Sequence, residues 1–417
     1  MSVAPTPRPG LRPLEDALAD LLNDTAALAG VQQVPTFEAD GRVLAQDLVS
    51  ALDVPGHDNT SMDGYAVRVA DLAQAAGAPL VVSQRIPAGH FGGPLLPGTV
   101  ARIFTGAPVP AGADAVVMQE EAQAQADGRV SFQSQPRVGQ WIRRQGEDVQ
   151  KGGTVLPAGT RLGPAELGLA ASIGFAELPV APRVRVALFS TGDELVMPGT
   201  VAPADMKPGA IYNSNRFFLR ALLLRLGCEV SDLGIVPDQR EATLQALSNA
   251  AQDHDLILTS GGVSVGEEDH IKPAVQALGH LDLWQIGMKP GKPFAHGRVG
   301  HAHFIGLPGN PVSSFVTFLL LVRPFLLRLQ GVAVDAASAL PAPVMLPAHF
   351  DLPKGDKRRE FLRARRNAQG GVDVFPNQSS GVLTSVVWAD GLIDNPPGNA
   401  IARGDLVRFI PLTDLLA

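Results

Sequence analysis

The stretch TSGGVSVGEEDH, residues 259–270, packs glycines, small hydroxyls and three acids directly behind the apolar run Leu256-Ile257-Leu258. A loop of this kind leaving a buried strand offers backbone N–H groups to an anion, and its carboxylates can hold a divalent cation. Three further apolar runs end in a similar way. VRVALFS leads into Thr191-Gly192-Asp193-Glu194, LWQIG into Met288-Lys289-Pro290-Gly291-Lys292-Pro293, and FIG into Leu307-Pro308-Gly309-Asn310-Pro311-Val312-Ser313. Ligands of open α/β sheets bind beyond the carboxyl ends of the strands, so the four loops predict one rim. There, glycines let backbone N–H groups approach an anion, Lys289 and Lys292 supply positive charge, and Asp193, Glu194 or Asp269 can ligate Mg2+. Any one loop reads equally well as a chain reversal; their convergence is what predicts a phosphate and metal site.

GMKPGKP superficially resembles a Walker P-loop, but Gly287 to Gly291 is one residue short and Pro293 stands where Ser or Thr is required, which excludes that ATPase chemistry. A second constellation lies upstream. In DVPGHDNTSMDGYAV (53–67), Asp63-Gly64 reads as a tight turn presenting a carboxylate, FTGAPVPAGADAVVMQE offers Thr105, and RRQGEDV offers Glu147 and Asp148. The segment KGDKRREFLRAR carries a basic cluster, Lys357, Arg358, Arg359 and Arg363, which is either a solvated surface or an anion contact reached from another domain or subunit. His301 and His303 fall on one face of a strand with no cysteine or nearby carboxylate, so polar packing is favoured over zinc. No spacing establishes a Ser-His-Asp or Cys-His arrangement.

The elements that position these residues follow from periodicity. Leu14, Ala17, Leu18, Leu21 and Leu22 recur at helical spacing after a Pro-rich start, predicting an amphipathic opening helix. Short β-type runs separated by Gly/Pro turns fill residues 46–145, a β-rich insertion. Helical character returns at GGTVLPAGTRLGPAELGLAASIG, so residues 1–45 and 146–180 are expected to form one discontinuous helical linker domain. From 181 to 331 strands alternate with helices, which predicts a parallel, doubly wound sheet, extended by LDLWQIG and AHFIGLP. VAVDAASALPAP reads as a linker, and 338–417 as a small β domain.

The chain has 417 residues, 45% of them hydrophobic, with 34 basic and 41 acidic side chains and a net charge of −7, which argues against a nucleic-acid partner. One cysteine, Cys228, rules out an intramolecular disulfide framework and a cysteine-built zinc site, and is expected to be a packed small hydrophobe. The N-terminal residues lack the apolar core of a signal peptide, and FVTFLLLVRPFLLRL is interrupted by Arg323, Pro324 and Arg328, predicting a buried helix rather than an anchor. A cytoplasmic protein with no membrane partner is expected. There is no tandem repeat.

Seven motifs, NTSMDGYAV, TGAPVPAGADAVVMQEE, IRRQGEDV, STGDEL, TSGGVSVGEEDHIK, MKPGKPFAHG and GLPGNPVSSFVTF, occur in an order that closely resembles the molybdopterin molybdenumtransferase family. These are the molybdenum-insertion enzymes of molybdenum cofactor biosynthesis, and the family includes the C-terminal region of gephyrin. The likeness covers nearly the whole chain after the first dozen residues. It implies a multidomain α/β plus β fold: a helical linker domain, the β-rich insertion, a molybdopterin-binding doubly wound α/β domain and a C-terminal β barrel. It also implies a homodimer with its site at the subunit interface, and Mg2+-dependent insertion of molybdate into adenylyl-molybdopterin with release of AMP.

Carried over by motif, the resemblance implies functional roles for Asp63, Thr105, Asp148, Asp238, Lys289 and Lys292, and Mg2+ ligation by Glu194 and Asp269. It implies substrate contacts from Thr191, Gly192, Ser260, Gly261, Gly262, Ser264, Pro308, Gly309, Asn310 and Pro311, with Arg358, Arg363 and Ser380 in the barrel. Backbone N–H groups of Gly261, Gly262 and Ser264 would grip the pterin-side phosphate, and the basic barrel residues would meet molybdate. The adenylyltransferase that precedes insertion and acceptor molybdoenzymes are the implied protein partners. His270 departs from the pattern, standing where many relatives carry tyrosine. Two other readings are an adenylyltransferase sharing the α/β domain, which needs neither SMDGYAV nor the barrel, and a non-catalytic scaffold of the same fold.

Overall fold

The structure is a computed structural model that describes residues 10–237, 239–262 and 270–416. The chain divides into two compact units, the smaller made of residues 46–158 and 164–177, the larger of the remainder. In the larger unit the opening helix α1 (Leu14–Asn23) buries the five apolar residues set at helical spacing. The helix Pro164–Ser172 belongs to the smaller unit.

The smaller unit is built on six strands, β1 (Gly64–Val67), β2 (Leu80–Ile86), β3 (Thr99–Ile103), β4 (Ala115–Met118), β5 (Ala122–Ala124) and β6 (Arg129–Phe132), ordered β4-β1-β3-β2-β6-β5. Strand alternation sends Ala66, Ile86, Ala101, Ile103 and Val116 into one core and Val67, Val100, Ala115, Val117 and Val130 into another. Gly64 is the first residue of β1 and not the pivot of a turn; a Cβ there would collide with the Val117 carbonyl. Glycine at this position is demanded by strand approach.

In the larger unit β7 (Arg185–Thr191), α2 (Asn215–Arg225), β8 (Glu229–Val236), α3 (Arg240–Asp253), β9 (Leu256–Ser260), α4 (Ile271–Leu278), β10 (Gly279–Gln285), β11 (Pro293–Val299) and β12 (Ala302–Leu307) build a sheet ordered β8-β7-β9-β12-β11-β10. Only β8, β7, β9 and β12 are parallel; β11 pairs antiparallel with both β10 and β12. The sheet is therefore mixed, because Gly300-His301 turn the chain straight back where a parallel neighbour would need a crossover. From β7 the chain moves first to β8 and then to β9 on the opposite side, so strand order reverses between β7 and β9. A helix running Pro311–Leu329, with 83% of its apolar window buried, is among the described residues the one long and apolar enough to cross a membrane. Its middle, Phe318–Val322, widens to π geometry ahead of Pro324, which has no N–H to give the preceding turn.

The C-terminal strands β13 (Val344–Pro347), β14 (Arg359–Arg366), β15 (Val372–Val374), β16 (Gly391–Asn395) and β17 (Leu406–Pro411) form a curved sheet ordered β14-β16-β17-β13, with β15 on β14. A single bridge, Ala348 to Val372, links its two ends and makes a half-barrel. The short strand Met288–Lys289 leaves the α/β sheet and pairs with Arg359 and Glu360 of β14.

His303 faces His296 across the β11–β12 hairpin, their rings stacked at 6.1 Å, with Phe325 and Trp284 against them. Burial pushes both imidazoles down to about 4, against weak opposing pulls from Asp24, Asp282 and Asp255 and reinforcement from Arg298. Each ring is neutral when folded, so unfolding takes up protons below the ordinary pKa of 6.5; the stability is complete above that pH and is lost as pH falls towards 4. The loss is expected to approach roughly 3 kcal/mol per histidine. Urea midpoints measured between pH 7 and 4.5 should fall steeply in the parent and less steeply in His303→Gln. Cys228 is buried after the Gly227 cap of α2, and burial pushes its thiol up to about 12, so it packs as a small hydrophobe.

Candidate functional site

The carboxyl ends of β7, β9 and β12 open onto a cavity of about 590 Å³ lined by Thr191, Glu194, Ser260, Gly261, Gly309, Asn310 and Pro311. It sits at the reversal of strand order, where an open α/β sheet leaves a crevice. Gly261 and Gly262 both take positive φ, +93° and +68°. A Cβ on Gly261 would stand 2.9 Å from the Thr191 carbonyl, and one on Gly262 2.6 Å from Ile271, so side chains are excluded on steric as well as conformational grounds. At Gly192 the Glu194 carboxylate curls over the backbone, 2.6 Å from where a Cβ would be. Pro308 is buried beside this cavity's loop. The predicted residues Asp238, Ser264 and Asp269 lie outside the described residues.

Sequence reasoning missed one wall of the cavity: Leu195, Ile211, Tyr212, Asn213, Ser214 and Asn215, from the segment joining β7 to α2. Leu195–Val196 and Ile211–Tyr212 pair in parallel and bring Asn213-Ser214-Asn215 to the sheet's edge. The signal available was the polar triplet ahead of an apolar helix, which reads only as a helix start. Asn213 is buried, and its Nδ2 has no partner among the described residues.

Lys289 and Lys292 do not join that rim. Because Met288–Lys289 pairs with β14, both lysines line a separate cavity of about 580 Å³ with Lys354, Asp356, Lys357, Arg358 and Glu360. Five cations there face two carboxylates. Lys289 pairs with Glu360 at 3.1 Å and Asp356 at 3.3 Å, and Arg358 with Asp356 at 3.0 Å. The Arg358 guanidinium, with help from Lys289, holds the Asp356 carboxyl far below the usual carboxylate range. Lys292, Lys354 and Lys357 have no ion pair among the described residues, which leaves the cavity net positive.

Arg363 is enclosed, only 1% exposed. Its guanidinium donates to Ser385 Oγ and the carbonyls of Phe361 and Ser379, and burial pushes it down to about 10, so it stays charged at neutral pH. It thereby fastens residues 379–385, from which the Ser380 carbonyl accepts the Val312 N–H at the start of the long helix and Gly381 and Leu383 reach the first cavity.

In the smaller unit the antiparallel register Gly64 to Ile103 sets the residues flanking β1 and β3 side by side. The Thr105 N–H and Oγ donate to Asp63 Oδ1 at 2.8 and 2.7 Å, and these bonds, the backbone one first, hold the carboxyl below its ordinary range. Asp53 and Asp58 anchor the RRQGEDV loop through Gln145, Arg144 and Lys151. Glu147 accepts the Arg144 N–H, while Asp148 is exposed with its backbone N–H on the Val54 carbonyl.

The chain matches three family models in succession: MoeA N-terminal region (domain I and II) over residues 12–174, probable molybdopterin binding domain over 187–328, and MoeA C-terminal region (domain IV) over 345–412. It is 39% identical to the molybdopterin molybdenumtransferase of Haemophilus influenzae over 97% of this chain and 99% of the relative. The chain belongs to the molybdopterin molybdenumtransferase family. Molybdopterin molybdenumtransferase 2 of Mycobacterium tuberculosis is 40% identical over 91% of this chain and 95% of its own length. The crystal structure of the molybdopterin biosynthesis moeA protein from Pyrococcus horikoshii superposes with a TM-score of 0.82 at 28% identity, covering 96% of this chain and all of that one. As a member of this transferase family, the chain carries both the glycine cavity and the basic cavity within its larger unit.

Proposed function

We propose that the protein takes adenylyl-molybdopterin and molybdate, inserts molybdenum into the dithiolene, and releases AMP with the finished molybdenum cofactor. The reading rests chiefly on two chemically distinct cavities in one unit. The first, rich in glycine backbone and small hydroxyls, suits a phosphorylated pterin. The second, net positive with three lysines that have no ion pair among the described residues, suits a tetrahedral oxyanion.

Among the described residues Glu194 is the carboxylate that lines the glycine cavity, and no group of three or more metal-binding side chains occurs. One or two carboxylates completed by substrate phosphates is how Mg2+ is commonly held, so Glu194, with Asp269, would hold it. The ion would neutralise charge on the pyrophosphate. The Gly261 N–H is held by the Leu307 carbonyl, so the Gly262 N–H orients the phosphate, and Lys292 with Arg358 draws molybdate in. Asp63, Thr105 and Asp148 complete the site from the β-rich domain of a partner subunit in a cytoplasmic homodimer, with the preceding adenylyltransferase and acceptor molybdoenzymes as protein partners.

AMP release from adenylyl-molybdopterin and Mg2+, with and without molybdate, tests the reading together with reconstitution of a cofactor-free molybdoenzyme. Molybdate-dependent AMP release with reconstitution is the expected result. Tight molybdopterin binding with neither signal would instead identify a scaffold.

A further inference from the structure

Asn215 is the first residue of α2, directly after Ser214 at the N-cap, and the Ser214 side chain makes no capping bond to the free N–H groups of the helix. Here Asn213 Oδ1 accepts the Arg216 N–H, and the Asn215 amide reaches away from the helix. Its Nδ2 donates to Ser260 Oγ and to the Gly309 carbonyl, each at 2.7 Å. A carbonyl can only accept, so the Gly309 contact fixes which end of the amide is the nitrogen. Both amide hydrogens are then used, in a side chain only 8% exposed.

The two acceptors are the last residue of β9 and the loop that leaves β12, neighbouring strands in parallel register with Ser260 opposite Leu307. Beyond the last ladder pair, the Gly261 N–H still reaches the Leu307 carbonyl at 3.1 Å, and a Cβ on Gly309 would stand 3.9 Å from Gly261 Cα. Past that point the glycines provide no side chains to hold the loops to one another. Asn215 spans them from a third element and lines the same cavity.

We propose that Asn215 is a positioning residue for the molybdopterin-binding cavity, setting the spacing of the Ser260–Gly261 and Gly309–Asn310 loops before substrate arrives. The proposal rests on the reading that this cavity takes the phosphorylated pterin. Donors held in place ahead of binding need no reorganisation, and displacement by even an ångström weakens them sharply. Asn215→Ala deletes the tie. Asn215→Asp keeps the shape but sets a buried carboxylate oxygen against the Gly309 carbonyl, which can only accept, even though the Ser260 hydroxyl can turn to donate; Asn215→Ser keeps a small polar side chain without the reach.

The full chain should be titrated with molybdopterin, and its KM for adenylyl-molybdopterin and for molybdate measured separately. All three variants are expected to weaken molybdopterin binding and raise the adenylyl-molybdopterin KM about tenfold or more, Asp at least as much as Ala. The molybdate KM should stay within about twofold, because its proposed cavity is lined by other residues, and a loss of folded protein alone would move neither KM. In combination with Ser260→Ala, the effect of Asn215→Ala should be less than multiplicative. Parent-like molybdopterin affinity in the folded Ser and Asp variants would overturn the proposal alone. A parent that fails to bind molybdopterin would overturn the reading of the cavity and this role with it.

Discussion

Replacing Asp63 by alanine is expected to lower molybdate-dependent AMP release by about a hundredfold or more while leaving the protein folded. Asp63 is half-buried just ahead of β1, outside both cores of the smaller unit, and its two hydrogen bonds both come from Thr105. Those donors favour the ionised form, so Asp63 remains a fixed negative charge through neutral pH and should contribute no inflection to the rate there. Asp63→Asn separates charge from shape, since it retains an oxygen for Thr105; a loss close to that of alanine would identify the charge as the working part. Thr105→Val removes one of the two donors and should cost about tenfold. The readouts are kcat from AMP release and the urea midpoint. Wild-type turnover by a folded Asp63→Ala protein would remove the residue from the machinery.

Lys292→Ala is expected to raise the KM for molybdate by about ten- to a hundredfold, with kcat recovered at high molybdate. Lys292 lines the basic cavity without an ion pair among the described residues, so its loss strips positive charge and leaves no carboxylate newly exposed. Lys289 differs, because it neutralises the buried Glu360 as well as Asp356. Its alanine variant should lose thermal stability in addition to anion affinity, since an uncompensated buried carboxylate is left behind. Added salt should raise the parent's molybdate KM more than that of Lys292→Ala, as screening acts on the charge that remains. A molybdate KM unchanged in Lys292→Ala would remove the basic cavity as the place of oxyanion binding.

Much of this was legible in the linear chain because it depends on near neighbours. The 3.6-residue spacing of Leu14, Ala17, Leu18, Leu21 and Leu22 is itself the buried face of α1. The apolar runs at 185–191 and 256–260 are buried strands, and the glycines behind them mark where backbone must bend or approach closely. Cys228 and the long helix at 311–329 were likewise readable as packed interior from composition alone. The ordered motifs carried the family, since seven of them in one sequence constrain far more than any single loop.

What the tertiary structure decided is which of those residues meet. Local pattern says that a residue is buried or ends a strand, but not against what, because pairing partners lie tens to hundreds of residues away. Met288–Lys289 looks like one more strand end of the α/β sheet, yet its hydrogen bonds go to β14, and the two lysines move with it to a different cavity. Arg363 belongs to a basic run that reads as surface, and only the closure of residues 379–385 over it makes it interior. His296 and His303 become a neutral pair through the antiparallel return of β11 onto β12. Asn213 and Asn215 read as the start of a helix and became a cavity wall because strand order reverses beside them. The sequence determined the elements, the glycine positions and the family; long-range strand pairing, whose energy depends on both partners at once, determined the site.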